Sequence, residues 1–164
     1  MPVLWEGGGE SIKLTPITEQ DCYWIAERLE DKESRKGTFR EPLNSALPSC
    51  AVMIRLDDDI PVGWAELSHI DVINRKANFG ISIPEKEGRG LSFAVGRKMF
   101  DRAFNEWGLN KIYMRILASN RSACKLAERF GFKLEGTERQ SAFVNGQFED
   151  IAVYGLLNSE YEGG

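Results

Sequence analysis

The fold is decided by residues 77–104, which read ANFGISIPEKEGRGLSFAVGRKMFDRAF. The first part alternates and predicts a strand, which Pro84 ends because proline lacks the N–H that a central ladder needs. From Leu91 the apolar residues recur at helical spacing, which predicts an amphipathic helix with Gly108 just past its C-terminus. The alternating strand residues are Phe79, Ile81 and Ile83.

A glycine turn, Gly88-Arg89-Gly90, joins this strand to the helix. The first turn of a helix has unpaired N–H groups and a dipole that favours negative charge, and glycine lets a phosphate approach them closely. The turn has neither the Lys-Ser/Thr pair of a Walker loop nor the G-x-G-x-x-G of a dinucleotide fold. By itself it is compatible with an anion site and with an ordinary strand–helix connection.

The composition is that of one globular domain spanning residues 1–164, with 42% hydrophobic and 28% charged residues. A net charge of −4 argues against general nucleic-acid binding. No apolar run approaches the roughly 20 residues of a membrane span, and the N-terminus does not resemble a signal peptide. We therefore expect a cytoplasmic protein with no membrane or nucleic-acid partner.

The cysteines and the histidine limit which kinds of metal or catalytic site the chain could form. Cys22, Cys50 and Cys124 are scattered and form no C-x-x-C pair, which suits a reducing compartment. His69 is the single histidine, so a site with several histidine ligands is excluded and no metal is expected. Nothing supports a Ser/His/Asp triad around it, and a strand position is the simpler interpretation.

The rest of the chain predicts a mostly antiparallel sheet, because its strands are joined by short connections. Asn145-Gly146 predicts a tight hairpin near the C-terminus, since a type I′ turn needs positive φ at both central residues. A helix is expected from Glu19 to Glu30, with Thr18 and Asp21 as a capping box, and another from Asn120 to Phe130. Besides residues 77–83, strands are predicted at Ser11–Thr18, Ala51–Leu56, Val62–Ile70, Lys111–Ala118, Thr137–Val144 and Phe148–Leu157.

Two polar segments carry weaker signals. Asp31–Ser49 predicts loops and a short irregular helix that could form one wall of a substrate site. The run Asp57-Asp58-Asp59 lacks the spacing of a calcium loop and predicts a solvated hairpin tip.

The order of these elements resembles the GNAT superfamily of N-acetyltransferases, in particular the RimJ/RimL-type ribosomal-protein acetyltransferases and the spermidine acetyltransferases. The resemblance spans residues 12–157 and is specific from Gly63 onward. It is carried by GWAELSHIDVINRKANFGISI, LNKIYMRILASN, RFGFKLEGTERQ and FVNGQFEDIAVYGLL. It implies an α+β fold of the α/β/α type, with a mixed, mostly antiparallel seven-stranded sheet. The central helix would follow the fourth strand, a V-shaped splay would separate strands four and five, and a hairpin would close the chain.

The resemblance also implies the cofactor and its site. Acetyl-CoA, as co-substrate, would lie in the splay, with its pantetheine arm along the fourth strand like an added strand. Its pyrophosphate would bind amides of the glycine turn, and Asn120 would help to hold the arm. The implied arm contacts are Ile81, Ser82 and Ile83. The implied pyrophosphate turn is Glu87, Gly88, Arg89, Gly90, Leu91 and Ser92.

Three residues depart from the family pattern. Glu87 stands where the pyrophosphate turn opens with Gln or Arg, and a carboxylate there repels phosphate unless it points away. Ser92 replaces a closing Gly or Ala. Ala127 occupies the place of a tyrosine that often serves as general acid in the family.

A general base must come from the strands. Glu66 could take the proton of an amine, directly or through water, although an outward strand residue or an ion pair is an equally simple interpretation. Asn78 stands where related sequences often carry Glu, so that route is closed. Tyr113 and Tyr154 are expected to be core or rim aromatics.

These observations predict an acyl-CoA-dependent N-acyltransferase that moves acetyl to a primary amine by direct attack. The acceptor would be a protein or peptide N-terminus or a small amine. Because Glu87, Ser92 and Ala127 depart from the pattern, the alternative is a non-catalytic GNAT-fold protein that binds CoA or a partner. Many proteins of this family dimerise, so the resemblance also implies a homodimer, for which the closing hairpin is the candidate interface.

Overall fold

The computed structural model describes residues 5–7, 12–30, 50–56, 58–85, 88 and 90–163. Within them, eight strands form one sheet in the order β1-β2-β3-β4-β5-β6-β8-β7. Neighbouring strands are antiparallel except β5 and β6, which are parallel. The strands are β1 Trp5–Gly7, β2 Ile12–Pro16, β3 Cys50–Arg55, β4 Pro61–Asp71, β5 Lys76–Ser82, β6 Lys111–Leu117, β7 Lys133–Val144 and β8 Gln147–Leu157.

Three α-helices accompany the sheet in the described ranges: α1 Glu19–Glu30, α2 Leu91–Asp101 and α3 Arg121–Arg129. α2 continues into a π-helical turn at Arg102–Glu106, and a short 3₁₀ turn follows β8 at Asn158–Glu160. None of these helices has the length and apolarity that a membrane span requires.

The predicted fold class is confirmed, with one addition to the sheet. Seven strands are those expected, so the fourth predicted strand is β5 and the fifth is β6. The eighth is β1, which pairs with β2 at the edge of the sheet. No pattern predicted it, because three residues are too few to show a periodicity. The expected loop segment Asp31–Ser49 lies outside the described residues.

The parallel pairing of β5 with β6 is short. It joins Lys76 to Lys111, Ala77 to Ile112 and Asn78 to Tyr113. Beyond Asn78 and Tyr113, both strands continue for four residues without pairing to each other. The predicted V-shaped splay is therefore present, with its apex at Asn78 and its opening toward the C-terminal ends of both strands.

The main core lies between one face of the sheet and the two helices that cover it, α2 and α3. Phe100 of α2 contacts Phe79 of β5 with ring centroids 4.8 Å apart, and Phe130 at the end of α3 with centroids 4.9 Å apart. Gly96 allows the close packing of the two helices, because a Cβ there would overlap the ring of Phe130. The aromatic residues of the central helix are core residues, as the sequence predicted.

Local signals in the sequence are confirmed at two turns. Thr18 and Asp21 form the expected capping box: the Asp21 carboxylate accepts from the Thr18 N–H at 2.9 Å, and the Asp21 N–H donates to the Thr18 hydroxyl at 3.3 Å. Asn145 and Gly146 have φ angles of 50° and 80°, which is the backbone that a type I′ hairpin requires.

Asp21 also fastens α1 to the sheet. Its carboxylate is buried and accepts a hydrogen bond from the guanidinium of Arg55 in β3. Burial raises the pKa of Asp21, but the hydrogen bonds from Thr18 and Arg55 outweigh burial and hold the pKa below its ordinary value of 3.8. A carboxyl with a lowered pKa stabilises the fold above its unfolded pKa, and this stabilisation is lost as pH falls through the folded pKa.

We expect Asp21→Asn to lower the free energy of unfolding at pH 7 by about 3 kcal/mol, because it removes the buried charged partner of Arg55, whose side chain is only 13% exposed. The difference from wild type should begin to shrink near pH 4, the ordinary pKa of an unfolded Asp, and should shrink further as pH falls through the lower pKa of folded Asp21. Urea denaturation between pH 3 and pH 7 measures both effects.

The matched control is Glu106→Gln, which removes an exposed carboxylate 3.2 Å from Arg102. It should cost less than about 1 kcal/mol, as surface ion pairs usually do. Equal losses in the two variants would show that the Asp21–Arg55 pair is no more important than a surface pair.

Candidate active site

The N-termini of two helices lie at the open end of the splay. β5 and β6 are parallel, so their C-terminal ends lie at the same edge of the sheet. α2 begins shortly after β5, and α3 begins shortly after β6. Two helix N-termini therefore lie at the mouth of a gap whose walls are two strands, which is the usual place for a ligand in sheets with parallel strands.

The N-terminus of α2 begins at the predicted pyrophosphate turn. Gly90 is the N-cap, with φ of 89°, and no described atom lies within 4 Å of where its Cβ would be. The first turn of α2 carries no acidic residue. The Leu91 side chain is buried in the core, so Leu91 could contribute only its backbone to a ligand, while Ser92 is half-buried. Glu87 and Arg89 lie outside the described residues.

The two described glycines of the turn serve different purposes. A Cβ on Gly88 would overlap Ile83 and press on Val62, and the Gly88 N–H already bonds the Glu85 carbonyl at 3.2 Å. Gly88 therefore packs the turn against the ends of β4 and β5. Gly90 is the open position, and its positive φ favours glycine.

β5, the strand expected to bind the cofactor arm, has an edge beyond Asn78 that does not pair with β6. Ile81 and Ser82 pair with Ala65 and Trp64 of β4 on one side. On the other side, the β6 ladder has already ended at Asn78. Ile83 lies one residue beyond the strand, with its side chain near Gly88, and its expected contact with the cofactor arm stays a prediction.

Asn120 is shown to be the N-cap of α3. Its side-chain oxygen accepts from the Ala123 N–H at 3.1 Å. This bond satisfies one of the unpaired donors of the first helical turn and fixes the side chain at the mouth of the gap. Its expected contact with the cofactor arm stays a prediction.

Glu66 lies on the face of the sheet opposite α2. Its register partner is Gly80 of β5, and a Cβ on Gly80 would lie 3.6 Å from both Cγ and Oε1 of Glu66. The half-buried carboxylate therefore extends over β5, toward the splay and just beyond its apex. The sequence indicated Glu66 as a candidate, but its position over Gly80 depends on strand register.

The apex itself holds a small polar cluster. Asn78 Nδ2 donates to Ser68 Oγ at 3.2 Å, and Ser68 Oγ lies 3.3 Å from Nδ1 of His69. His69 has φ of 51° within an irregularity of β4. Asn78 Oδ1 is buried and makes no hydrogen bond with the described residues. The Asn78–Ser68 pair was not predicted, since it depends on the register of β4 with β5.

α1 covers this same face. Its Trp24 contacts Trp64 of β4 edge-on, with ring centroids 6.3 Å apart. Arg28 lies over the Trp24 ring at 3.8 Å, and its Nε donates to Glu85 at 2.7 Å. α1 is thereby tied both to the strand that bears Glu66 and to the segment that leads into the glycine turn.

Neither Ala127 nor Tyr154 offers an acid to the gap. Ala127 is fully buried in the core. Tyr154 of β8 is buried, and its hydroxyl donates to Glu128 at 3.3 Å. Burial, together with Cys124 and Glu128, raises the pKa of Tyr154 to about 12. Tyr154 is a core aromatic, as expected.

Comparison with known proteins identifies the family. The family model described as "Acetyltransferase (GNAT) domain" matches residues 12–133. The chain belongs to this family. The predicted family and activity class are confirmed with it: the chain is an N-acetyltransferase, and acetyl-CoA is its co-substrate.

Individual relatives agree with this assignment. The chain is 37% identical over 102 residues to the "Putative ribosomal N-acetyltransferase YdaF" of Bacillus subtilis (strain 168), a match that spans 62% of this chain and 56% of that protein. It is 29% identical to a spermidine N(1)-acetyltransferase of Vibrio cholerae, over 85% of this chain and 80% of the relative. Among solved structures, a spermidine N-acetyltransferase from Vibrio cholerae in complex with CoA and spermine has a TM-score of 0.82 at 26% identity, covering 92% of this chain and 97% of the other.

We expect Gly90→Glu to weaken acetyl-CoA binding by about 100-fold or more. A carboxylate about 4 Å from a phosphate in a partly screened site costs several kcal/mol, and each 1.4 kcal/mol is about a factor of ten. Calorimetric titration with acetyl-CoA measures the change.

Gly108→Glu is the matched control. Gly108 also has a positive φ, 64°, and open space around its Cβ position, but it lies at the other end of the central helix. Both variants place a glutamate at a position with positive φ and add the same charge. Equal acetyl-CoA affinity in the two would contradict the assignment of the turn.

Proposed function

We propose that this acetyltransferase transfers acetyl from acetyl-CoA, held in the splay between β5 and β6, to a small primary amine, with Glu66 as the general base. The observation that carries the proposal is the position of the Glu66 carboxylate over Gly80. That position lies beside the segment of β5 that has no β6 partner, where a cofactor arm would add as a strand.

The residues proposed for the cofactor lie on the free edge of β5, in the turn before α2 and at the start of α3. The free edge of β5 through Ile81 and Ser82 would bond the pantetheine arm, and the start of α2 would bond the pyrophosphate. Asn120 would contact the arm from the other side of the mouth, and Ile83 and Gly88 would support the turn by packing. Glu87 and Arg89 stay predictions from the sequence.

The transfer needs one proton acceptor and one oxyanion donor. Glu66 takes a proton from the ammonium group of the acceptor, and the freed lone pair attacks the thioester carbonyl carbon. An amide of β5 stabilises the oxygen as it becomes negative. The carbon–sulfur bond then breaks, the CoA thiolate leaves and is protonated from water, and the nitrogen loses its second proton to give the amide.

The proposed base supports a cationic acceptor, since Glu66 places a carboxylate beside the free edge of β5. Two relatives whose matches span 85% and 92% of this chain are named as spermidine N(1)-acetyltransferases. Together these observations favour a polyamine of the spermidine class over a peptide N-terminus.

The location and partners are proposed from weaker observations. Cys22, Cys50 and Cys124 are free thiols, which supports a reducing cytoplasm. The homodimer and the lack of nucleic-acid and membrane partners stay predictions.

Calorimetric titration with acetyl-CoA, followed by an assay of amine-dependent thiol release, tests the proposal. We expect micromolar binding and turnover with spermidine that exceeds turnover with peptides bearing a free N-terminus. Binding without amine-dependent release would favour the non-catalytic alternative. No binding at millimolar acetyl-CoA would refute the enzyme itself.

Glu66→Gln should lower kcat by about 100-fold or more, which is the usual contribution of a general base. It should also remove the acidic limb of the pH–rate profile while acetyl-CoA affinity changes only a few fold.

Glu135→Gln is the control. It removes a carboxylate on β7 that bonds Lys111 at 2.8 Å, away from the splay. A wild-type kcat and pH profile in Glu66→Gln would exclude Glu66 as the base.

A further inference from the structure

Gly80 occupies a position in β5 that no backbone requirement explains. It lies in the interior of the strand, in a regular part of the β4 ladder, and the irregularity of that ladder falls between Ser68 and Asp71 instead. Its φ is not among the positive values. Glycine inside a strand weakens it, and where no bulge or bend is present it often marks the close approach of a ligand or another group.

Packing does not require glycine there either. A Cβ on Gly63 would overlap the Ser82 carbonyl, and one on Gly96 would overlap Phe130. A Cβ on Gly80 would instead lie at an ordinary contact distance, 3.6 Å, from Glu66, whose atoms are the only described ones within 4 Å. The missing side chain therefore leaves a volume beside a carboxylate.

This volume lies beside the part of β5 that has separated from β6. Gly80 follows Asn78, the last β5 residue paired with β6, by two positions and shares its face of the sheet. Gly80 is half-buried and keeps some solvent access. The space above it is thus bounded by Glu66 on the β4 side and by the unpaired edge of β5 on the other.

We propose that the acceptor nitrogen lies above Gly80 during transfer, and that this glycine sets how much substitution the carbon next to the nitrogen can carry. The inference rests on the proposed function, since it takes Glu66 as the base. From this position the ammonium group gives a proton to Glu66, and the nitrogen then attacks a thioester carbon held along the edge of β5. A side chain on residue 80 would occupy the place of the nitrogen or of a substituent beside it.

Gly80→Ala tests the proposal without disturbing the fold, because its Cβ would make an ordinary contact. We expect the KM for spermidine to rise by about tenfold or more, since one methyl group in a binding site changes discrimination by about 10-fold to 200-fold. We expect kcat to change less than about threefold and acetyl-CoA affinity to stay within a few fold of wild type, because the added methyl opposes amine binding only.

A branched polyamine gives a sharper readout. α-Methylspermidine has one primary amine on a CH₂ carbon and the other on a methyl-bearing carbon. The ratio of its two monoacetylated products therefore measures which of the two amines the enzyme prefers. Gly80→Ala should shift the product ratio toward the unbranched end by about tenfold or more, for the same steric reason. Chromatography of the products measures the ratio.

Gly136→Ala is the matched control, because Gly136 has no positive φ and a Cβ there would meet no described atom within 4 Å. It should leave KM and the product ratio unchanged.

The possible failures are distinguishable. A Gly80→Ala variant with wild-type KM and product ratio would overturn this inference and leave the proposed function intact. A loss of acetyl-CoA affinity as large as the rise in KM would also overturn it, because the volume would then belong to the cofactor. Absence of polyamine acetylation by the wild type would overturn the proposed acceptor class, and this inference with it.

Discussion

The structure depends on a parallel strand pairing that stops early. β5 and β6 pair at three positions and then separate within the same sheet. Separation exposes the N–H and C=O groups of two strands inside a fold, and buried backbone groups without partners are costly. An extended ligand that adds along the edge of β5 would satisfy them, so the gap in the ladder is itself the strongest structural argument for where acetyl-CoA lies.

The packing of the helices places their N-termini where a ligand in this gap could reach them. Phe100 contacts both Phe79 and Phe130, and Gly96 lets α3 approach α2 until the Phe130 ring lies against the helix backbone. These contacts fix both helices on one face, with their N-termini at the open end of the splay. Glu66 lies on the opposite face, which α1 contacts through Trp24 and Trp64, so the core and the proposed acceptor site lie on different sides of the sheet.

Local chemistry could be predicted from the sequence, whereas contacts between distant elements could not. The Asn145-Gly146 turn, the Thr18–Asp21 cap and the bounds of α1 follow from neighbouring residues, and all are confirmed. The ion pair of Asp21 with Arg55 depends on where α1 lies on the sheet, and no local pattern encodes that.

Within the site, the sequence indicated the right segments but not the role of each residue. Gly88 and Gly90 looked alike in the sequence, yet one is a packing residue and the other is open. The sequence also contained a signal at Gly80 that was not used: an isolated glycine inside an alternating strand indicates a bulge or the close approach of another group. Its relation to Glu66 is set by cross-strand register, which the sequence alone does not specify.

Ala127 and Tyr154 supply no acid to the gap, and this is consistent with the chemistry that the transfer needs. A primary amine with a pKa near 10.4 is deprotonated in only about one molecule in a few thousand at pH 7, so removing its proton is the larger task. A thiol with a pKa of about 8.5 leaves as a thiolate with little help. With Glu66 as the proposed base for the amine, a site that has Ala127 where a tyrosine could stand would therefore retain the more demanding half of the acid–base chemistry. Ala127 instead helps α3 to pack closely on the core, which places Asn120 at the mouth of the splay.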